Sequence, residues 1–164
     1  MIEEFVCQGC GLVGLLEDGA GHANMPASPY CWPLYGELLA REYNNPAYMR
    51  VHRWTVDAYA AQHSGEEDRR AILSVWLRVV SLYLPFEQRC FPGEARKAVQ
   101  YLARSREFNP LPAPAVPQRL MAADVLRAEN ADRYQQLVER WARSVWRAWS
   151  SAHGQAATIA QGLR

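Results

Sequence analysis

A regular apolar stripe runs through the last part of the chain. From Asp132 onward, apolar or aromatic-ring side chains recur at every fourth position: Leu137, Trp141, Val145, Trp149 and His153. This spacing places the five side chains on one face of an α-helix, whereas a strand would require alternation at every second position. The stripe therefore predicts a long C-terminal helix whose apolar face packs against other helices.

Helix-start signals divide the preceding chain into further helices. Ser28-Pro29 and Asn45-Pro46 each place a capping side chain before a proline, and Ser64 with Glu67 forms a capping box. Four helices are predicted ahead of the C-terminal one, over residues 30–42, 46–63, 66–84 and 93–107. Pro85 is predicted to end the third of these helices. Because strand-like alternation is nowhere sustained, the predicted fold class is all-α, a compact bundle of about five helices.

The remaining segments flank this bundle. A chain of 164 residues fits a single domain, 1–164. Residues 1–27 hold five of the ten glycines and predict a glycine-rich, knuckle-like loop ahead of the helices in 28–108. Residues 109–117 are proline-rich and predict an extended strap across the helical body, before the C-terminal helices in 118–164.

The net charge and the composition of the N-terminal segment predict the class of binding partner and the cellular location of the protein. The net charge of +1 leaves no field of one sign to attract nucleic acid or an acidic membrane. No stretch approaches the ~20 apolar residues of a membrane-spanning helix. The start of the chain, MIEEFVCQGCG, is acidic and lacks the apolar core of a secretory signal. We therefore predict a cytoplasmic protein with reduced thiols, whose partner is a small molecule, another protein or a second copy of the chain.

The N-terminal loop concentrates metal-binding residue types, spaced Cys7-x2-Cys10-x11-His22-x8-Cys31. A Cys-x2-Cys pair in a glycine-flanked turn lets both sulfurs meet one ion at ~2.3 Å, and two further ligands complete a tetrahedron. His22 and Cys31 are the nearest candidates, so the segment predicts a zinc site. The pattern also fits a reduced thiol pair with a buried Cys31 or, less well because a βαβ context is missing, a redox pair.

Polar residues on the second predicted helix form another group. At 100° per residue, His52, Tyr59 and His63 share one face, with Asp57 on its flank. His52 and His63 are about 16 Å apart along the helix and cannot bind one ion together. His63 precedes Ser64-Gly65, where the chain can turn, and is the alternative to His22 as a zinc ligand. The ordinary interpretation is that such histidines hydrogen-bond within the core.

Four segments together resemble a known family: CQGCG, GHANMPASPYCWPLYGELLAREYNNPAY, VHRWTVDAYAAQH and ERWARSVWRAWSSAH. They are similar to a family of small bacterial proteins known only as a domain of unknown function, and the similarity covers nearly the whole chain. The resemblance implies recurrent polar positions at Cys7, Cys10, His22, Cys31, His52, Asp57, Tyr59, Gln62 and His63. It implies no activity.

Two functional hypotheses follow. In the first, zinc is structural and the protein is a helical binding or accessory protein. In the second, the protein is a metal-dependent enzyme in which the metal activates water or a thiol and His63 or Asp57 is the general base. His52, Tyr59 and Gln62 are then further candidate catalytic residues. The number of protein ligands separates the two hypotheses, because structural zinc sites are closed by four ligands and catalytic sites keep one position open.

Overall fold

The computed structural model describes residues 4–15, 25–65, 68–90, 92–105, 108–112, 114 and 120–163. Two short strands, β1 (Glu4–Val6) and β2 (Val13–Leu15), come first. Eight α-helices follow within the described residues: α1 (Cys31–Asn44), α2 (Pro46–Met49), α3 (His52–Gln62), α4 (Arg69–Gln88), α5 (Pro92–Ser105), α6 (Ala122–Leu126), α7 (Ala131–Ala148) and α8 (His153–Gln161). The predicted all-α class is confirmed, although the helices are more numerous and several are shorter than predicted.

The N-terminal loop contains a small β-hairpin that the sequence analysis did not predict. β1 and β2 pair antiparallel, with Phe5 opposite Gly14 and Val6 opposite Val13. The backbone of Gly11, between the strands, has φ 77°, a left-handed conformation that glycine adopts without strain. Each strand has only three residues, which is too short for alternation to be recognised.

Two predicted helix boundaries were wrong. The predicted helix over 46–63 is two helices, because α2 ends at Met49 and α3 begins at His52. The predicted cap at Ser64 does not begin the next helix. Instead, the Asp68 side chain accepts hydrogen bonds from the backbone N–H groups of Arg70 and Ala71 at 2.7 and 2.8 Å, and α4 begins at Arg69. Glu67, the other half of the predicted capping box, lies outside the described residues.

The prediction that Pro85 ends a helix was also wrong, since α4 continues to Gln88. A proline removes one helical hydrogen bond, but the neighbouring side chains hold this turn in place. Leu84 is buried, and Phe86 stacks on Trp54 with ring centroids 5.5 Å apart. The helix closes at Arg89, whose φ of 49° lets the Leu84 carbonyl accept the Arg89 and Cys90 backbone N–H groups.

The apolar stripe of α7 faces the core, as predicted. Trp141, Val145 and Trp149 are at most 1% exposed. α3 packs against both α4 and α7, so these three helices form the centre of the bundle. The stripe does not lie on one continuous helix, however, because a 3-10 turn (Ser150–Ala152) separates α7 from α8. His153 begins α8, stacks on Trp146 at 3.6 Å and donates a hydrogen bond from Nε2 to the Trp146 carbonyl.

The described part of the proline-rich strap packs against α4. Trp76 Nε1 donates a hydrogen bond to the Asn109 carbonyl at 2.7 Å, and Leu111 is buried. Among the described residues, no helix combines the length and the apolar character needed to cross a membrane.

Candidate metal centre

The hairpin turn brings Cys7 and Cys10 together. The Cys7 N–H donates to the Leu12 carbonyl and the Gly11 N–H donates to the Cys7 carbonyl, both at 2.8 Å. These bonds close a tight turn between β1 and β2 with both cysteine side chains buried. The turn therefore places the two thiols side by side.

The third cysteine enters from the start of α1. The Ser28 hydroxyl accepts a hydrogen bond from the Cys31 N–H at 3.0 Å, which satisfies the first backbone donor of α1. The Ser28 N–H in turn points at Cys7 Sγ, 3.5 Å away. Ser28 thus binds the first N–H of the helix that carries Cys31 and contacts the first thiol of the hairpin.

His63 reaches the same place from the end of α3. Its Nδ1–H donates a hydrogen bond to the Tyr59 carbonyl at 2.8 Å, and its ring stacks on the Tyr59 ring at 4.0 Å. With Nδ1 engaged, Nε2 faces Cys31 Sγ at 3.3 Å. A backbone carbonyl that holds one ring nitrogen in this way orients the other nitrogen toward a metal.

Together the four side chains form a buried cluster of three thiols and one imidazole. The ligand atoms of Cys7, Cys10, Cys31 and His63 all lie within 4.8 Å of one another. The Sγ atoms of Cys10 and Cys31 are 3.7 Å apart. Two sulfurs bound tetrahedrally at ~2.3 Å from one zinc ion would be separated by about 3.8 Å. The cluster therefore has the donor types, number and spacing needed to hold a metal ion.

Hydrogen bonds within the cluster shift the pKa values of Cys7, Cys10 and His63. Hydrogen bonds with Cys10 and Cys31 hold the pKa of Cys7 far below its ordinary value. Hydrogen bonding to Cys31 and Cys7 raises the pKa of Cys10. Burial by itself would lower the pKa of His63, but hydrogen bonds with Cys31 and Cys7 outweigh it and raise that pKa to about 9. A thiolate at Cys7 is therefore favoured beside the imidazole, whereas a thiolate at Cys10 is disfavoured.

A family model described as a family of unknown function, DUF5946, matches residues 6–150. The chain belongs to this family. The match confirms the resemblance seen in the sequence, and it spans all four residues of the cluster. Comparison with curated proteins and with solved structures gives no significant match.

The structure of this DUF5946 protein brings together three residues of the predicted ligand set: Cys7, Cys10 and Cys31. The fourth predicted ligand, His22, lies outside the described residues. The fourth group of the cluster is His63, which the sequence analysis named as the alternative ligand. Tyr59, one of the candidate catalytic residues, lies at the edge of the cluster with its hydroxyl 3.5 Å from Cys31 Sγ.

Asp57 and Gln62 lie outside the cluster and have other partners. The fully buried Asp57 carboxylate accepts hydrogen bonds from Arg53 at 2.9 Å, from Arg78 at 3.1 Å and from the Ser81 hydroxyl. Gln62 donates to the Leu120 carbonyl at 2.7 Å and accepts from Trp141 Nε1 at 3.1 Å. Both side chains cross-link α3 to neighbouring segments.

The structure also reveals a buried acid that the sequence analysis missed. Glu42 is 1% exposed and accepts hydrogen bonds from His52 Nδ1 at 2.6 Å, Thr55 at 2.5 Å and Tyr134 at 2.7 Å. This places His52 at the junction of α1, α3 and α7, away from the cluster. Nothing in the sequence distinguishes Glu42 from a glutamate on a solvated helix face, so no signal could have revealed its burial.

Gly9→Ala tests how tightly the hairpin turn fits against His63. A Cβ atom at position 9 would lie 2.3 Å from His63 Cδ2 and 3.0 Å from its Cα, so the hairpin and the end of α3 must separate. We expect a loss of about 2 kcal/mol in the free energy of unfolding, typical of an overpacked site. Chemical denaturation measures it.

Gly36→Ala provides the matched control. Position 36 lies within α1, and a Cβ atom there meets nothing within 4 Å. Alanine should stabilise this helix by up to about 1 kcal/mol, since glycine is the poorer helix former. Equal effects of the two substitutions would contradict the close approach of Gly9 to His63.

Proposed function

We propose that this DUF5946 member is a small zinc-binding helical protein in which the metal is structural, and that it acts as a binding or accessory protein. The observation that carries the proposal is the buried cluster of Cys7, Cys10, Cys31 and His63, with all ligand atoms within 4.8 Å. Three thiolates and one imidazole form a typical donor set of structural zinc sites, whereas magnesium and calcium require oxygen ligands.

The number of ligands supports a structural rather than a catalytic metal. Four protein ligands would complete a tetrahedron and leave no position for water or substrate. An enzyme would also need a free general base. Both His63 nitrogens are engaged, one with the Tyr59 carbonyl and the other with Cys31, and the Asp57 carboxylate is paired with two arginines. These contacts favour the binding-protein hypothesis over the enzyme hypothesis.

The hairpin itself supplies a reason for a metal. Four of its apolar side chains, Phe5, Val6, Val13 and Leu15, are 37–54% exposed. A two-stranded hairpin that buries so little apolar surface is at best marginally stable by its own contacts. An ion held by Cys7 and Cys10 on one side and by Cys31 and His63 on the other would fasten the hairpin to α1 and α3.

The thiols and the net charge support a cytoplasmic location and a class of partner for this protein. The cytoplasm keeps thiols reduced and available to zinc. With a net charge of +1, the partner would be a small molecule, another protein or a second copy of the chain rather than nucleic acid or a membrane surface.

Three histidine substitutions test the ligand set. The wild-type protein should carry about one zinc ion per chain. His63→Ala should lower the zinc content and the melting temperature, because it removes one ligand from the cluster. His52→Ala, which alters the same helix but leaves the cluster intact, should retain the metal. Elemental mass spectrometry and thermal melts of the three variants, His22→Ala included, give the readout.

The pattern of results distinguishes the possible ligands. Loss of zinc in His63→Ala with retention in His22→Ala would support the cluster described here. Loss in His22→Ala with retention in His63→Ala would instead assign the fourth position to His22. A wild-type protein that folds fully without metal would refute the structural role of zinc.

A further inference from the structure

A cleft lies between the C-terminal end of α4, one face of α5 and the C-terminal end of α8. Its volume is about 790 Å³, within the ~300–1,000 Å³ typical of small-molecule sites. Apolar side chains from all three helices contribute to its lining: Leu84, Ala98, Ala160 and Leu163. None of its lining residues belongs to the Cys–His cluster, so the cleft does not depend directly on the metal ligands.

The charged side chains of the cleft have an excess of positive charge. Arg89 and Lys97 both line it, and neither forms an ion pair within the described part of the chain. The acidic lining residue is Glu94, whose carboxylate accepts a hydrogen bond from Cys90 Sγ at 3.6 Å. The cleft therefore offers two cations against one carboxylate, a net charge that a single anionic group would balance.

One aromatic side chain also lines the cleft, in addition to the two cations. Tyr101 lines the cleft with its side chain 63% exposed, although a large aromatic residue gains free energy by burial. A ligand with an apolar body would cover this ring and the apolar lining, while its anionic end lay near Arg89 or Lys97. The combination of an apolar lining with a few polar groups is the usual composition of a small-molecule site.

We propose that this cleft binds a small amphipathic carboxylic acid, with one carboxylate and an aliphatic or aromatic body. The inference gives a ligand class to the binding role in the proposed function. It rests on that role and not on zinc. A phosphate ester fits less well, because two exposed cations do not provide the converging backbone and side-chain donors that phosphate sites use.

Octanoate is a suitable probe, and octanol is its neutral counterpart with the same chain length. Zinc-loaded full-length protein is titrated with each compound while the NMR signals of Ala98, Tyr101 and Ala160 are followed. Octanoate should shift these signals in a saturable manner. We expect octanol to bind about tenfold more weakly, since it lacks the charge that Arg89 and Lys97 would neutralise.

A pair of charge reversals locates the site. The Arg89→Glu/Lys97→Glu double variant should weaken octanoate binding by about tenfold or more, with a smaller effect on octanol. Arg96→Glu/Arg104→Glu is the matched control. It makes the same net charge change at exposed positions of α5 that do not line the cleft. This control should bind octanoate about as the wild type does.

Three results would overturn the inference: no saturable octanoate binding, equal binding of octanol, or equal weakening in the two double variants. Zinc content is measured on the same samples, so the two proposals fail separately. Zinc-loaded protein that does not bind octanoate would contradict the proposed ligand site in the cleft and leave the proposed zinc site standing. Protein that binds octanoate and folds without zinc would contradict the structural role of zinc and leave the proposed ligand site standing.

Discussion

Cys31→Ser should produce a protein that no longer retains zinc and whose N-terminal hairpin no longer packs against the helices. Cys31 lies at the centre of the cluster, with its sulfur 3.7 Å from Cys10 Sγ and 3.3 Å from His63 Nε2. Because metal affinity is coupled to folding, we expect a loss of about 4 kcal/mol or more in the free energy of unfolding. Zinc analysis and denaturant titration measure the two effects.

Cys90→Ser is the matched control for this prediction. Cys90 is half-buried and lies outside the cluster, so its substitution should leave the zinc content unchanged. Hydrogen exchange should show rapid exchange of the backbone N–H groups of Cys7 and Gly11 in Cys31→Ser but not in the control. Retention of both metal and protected hairpin amides in Cys31→Ser would contradict the role of this cysteine.

Trp141→Ala should be the most damaging substitution in the helical core. The side chain is fully buried on α7, and its Nε1 donates a hydrogen bond to the Gln62 amide oxygen on α3. Removing so large a buried ring should cost about 3–5 kcal/mol. The loss would separate α7 from α3, and chemical denaturation monitored by circular dichroism would detect it.

Two further variants separate packing from hydrogen bonding at this position. Trp141→Phe keeps most of the ring but leaves the Gln62 oxygen without its donor, which should cost about 1–3 kcal/mol. Tyr43→Ala removes a ring that is largely exposed, and its effect should be smaller than that of either Trp141 substitution. A loss below about 1 kcal/mol in Trp141→Ala would contradict the burial of the stripe.

The parts of the fold that could be predicted are those specified by local rules. The four-residue spacing of Leu137, Trp141 and Val145 is a property of α7 alone, and the Asn45 cap depends only on the next two residues. The end of the helix at Met49 could not be predicted, because residues 49–51 contain neither glycine nor proline. At Pro85 the local rule failed, since packing of Leu84 and Phe86 outweighs one lost hydrogen bond.

The candidate site shows the same division between local and distant information. A single turn determines that Cys7 and Cys10 lie together, so their spacing indicates a shared role. Whether Cys31 and His63 lie beside them depends on how α1 and α3 pack, which spacing does not encode. The partners of Asp57 were equally inaccessible, because Arg78 and Ser81 reach it from α4.

The distribution of the cluster along the chain has a consequence for synthesis. The hairpin leaves the ribosome before α1 and α3, and its docking partner His63 lies at the far end of α3 and is made later. Until α1 and α3 have packed, Cys7 and Cys10 remain accessible thiols on a nascent chain. In the proposed zinc-bound protein, the hairpin is thus secured only after α3 has been made, and a supply of zinc during translation would protect its thiols from oxidation.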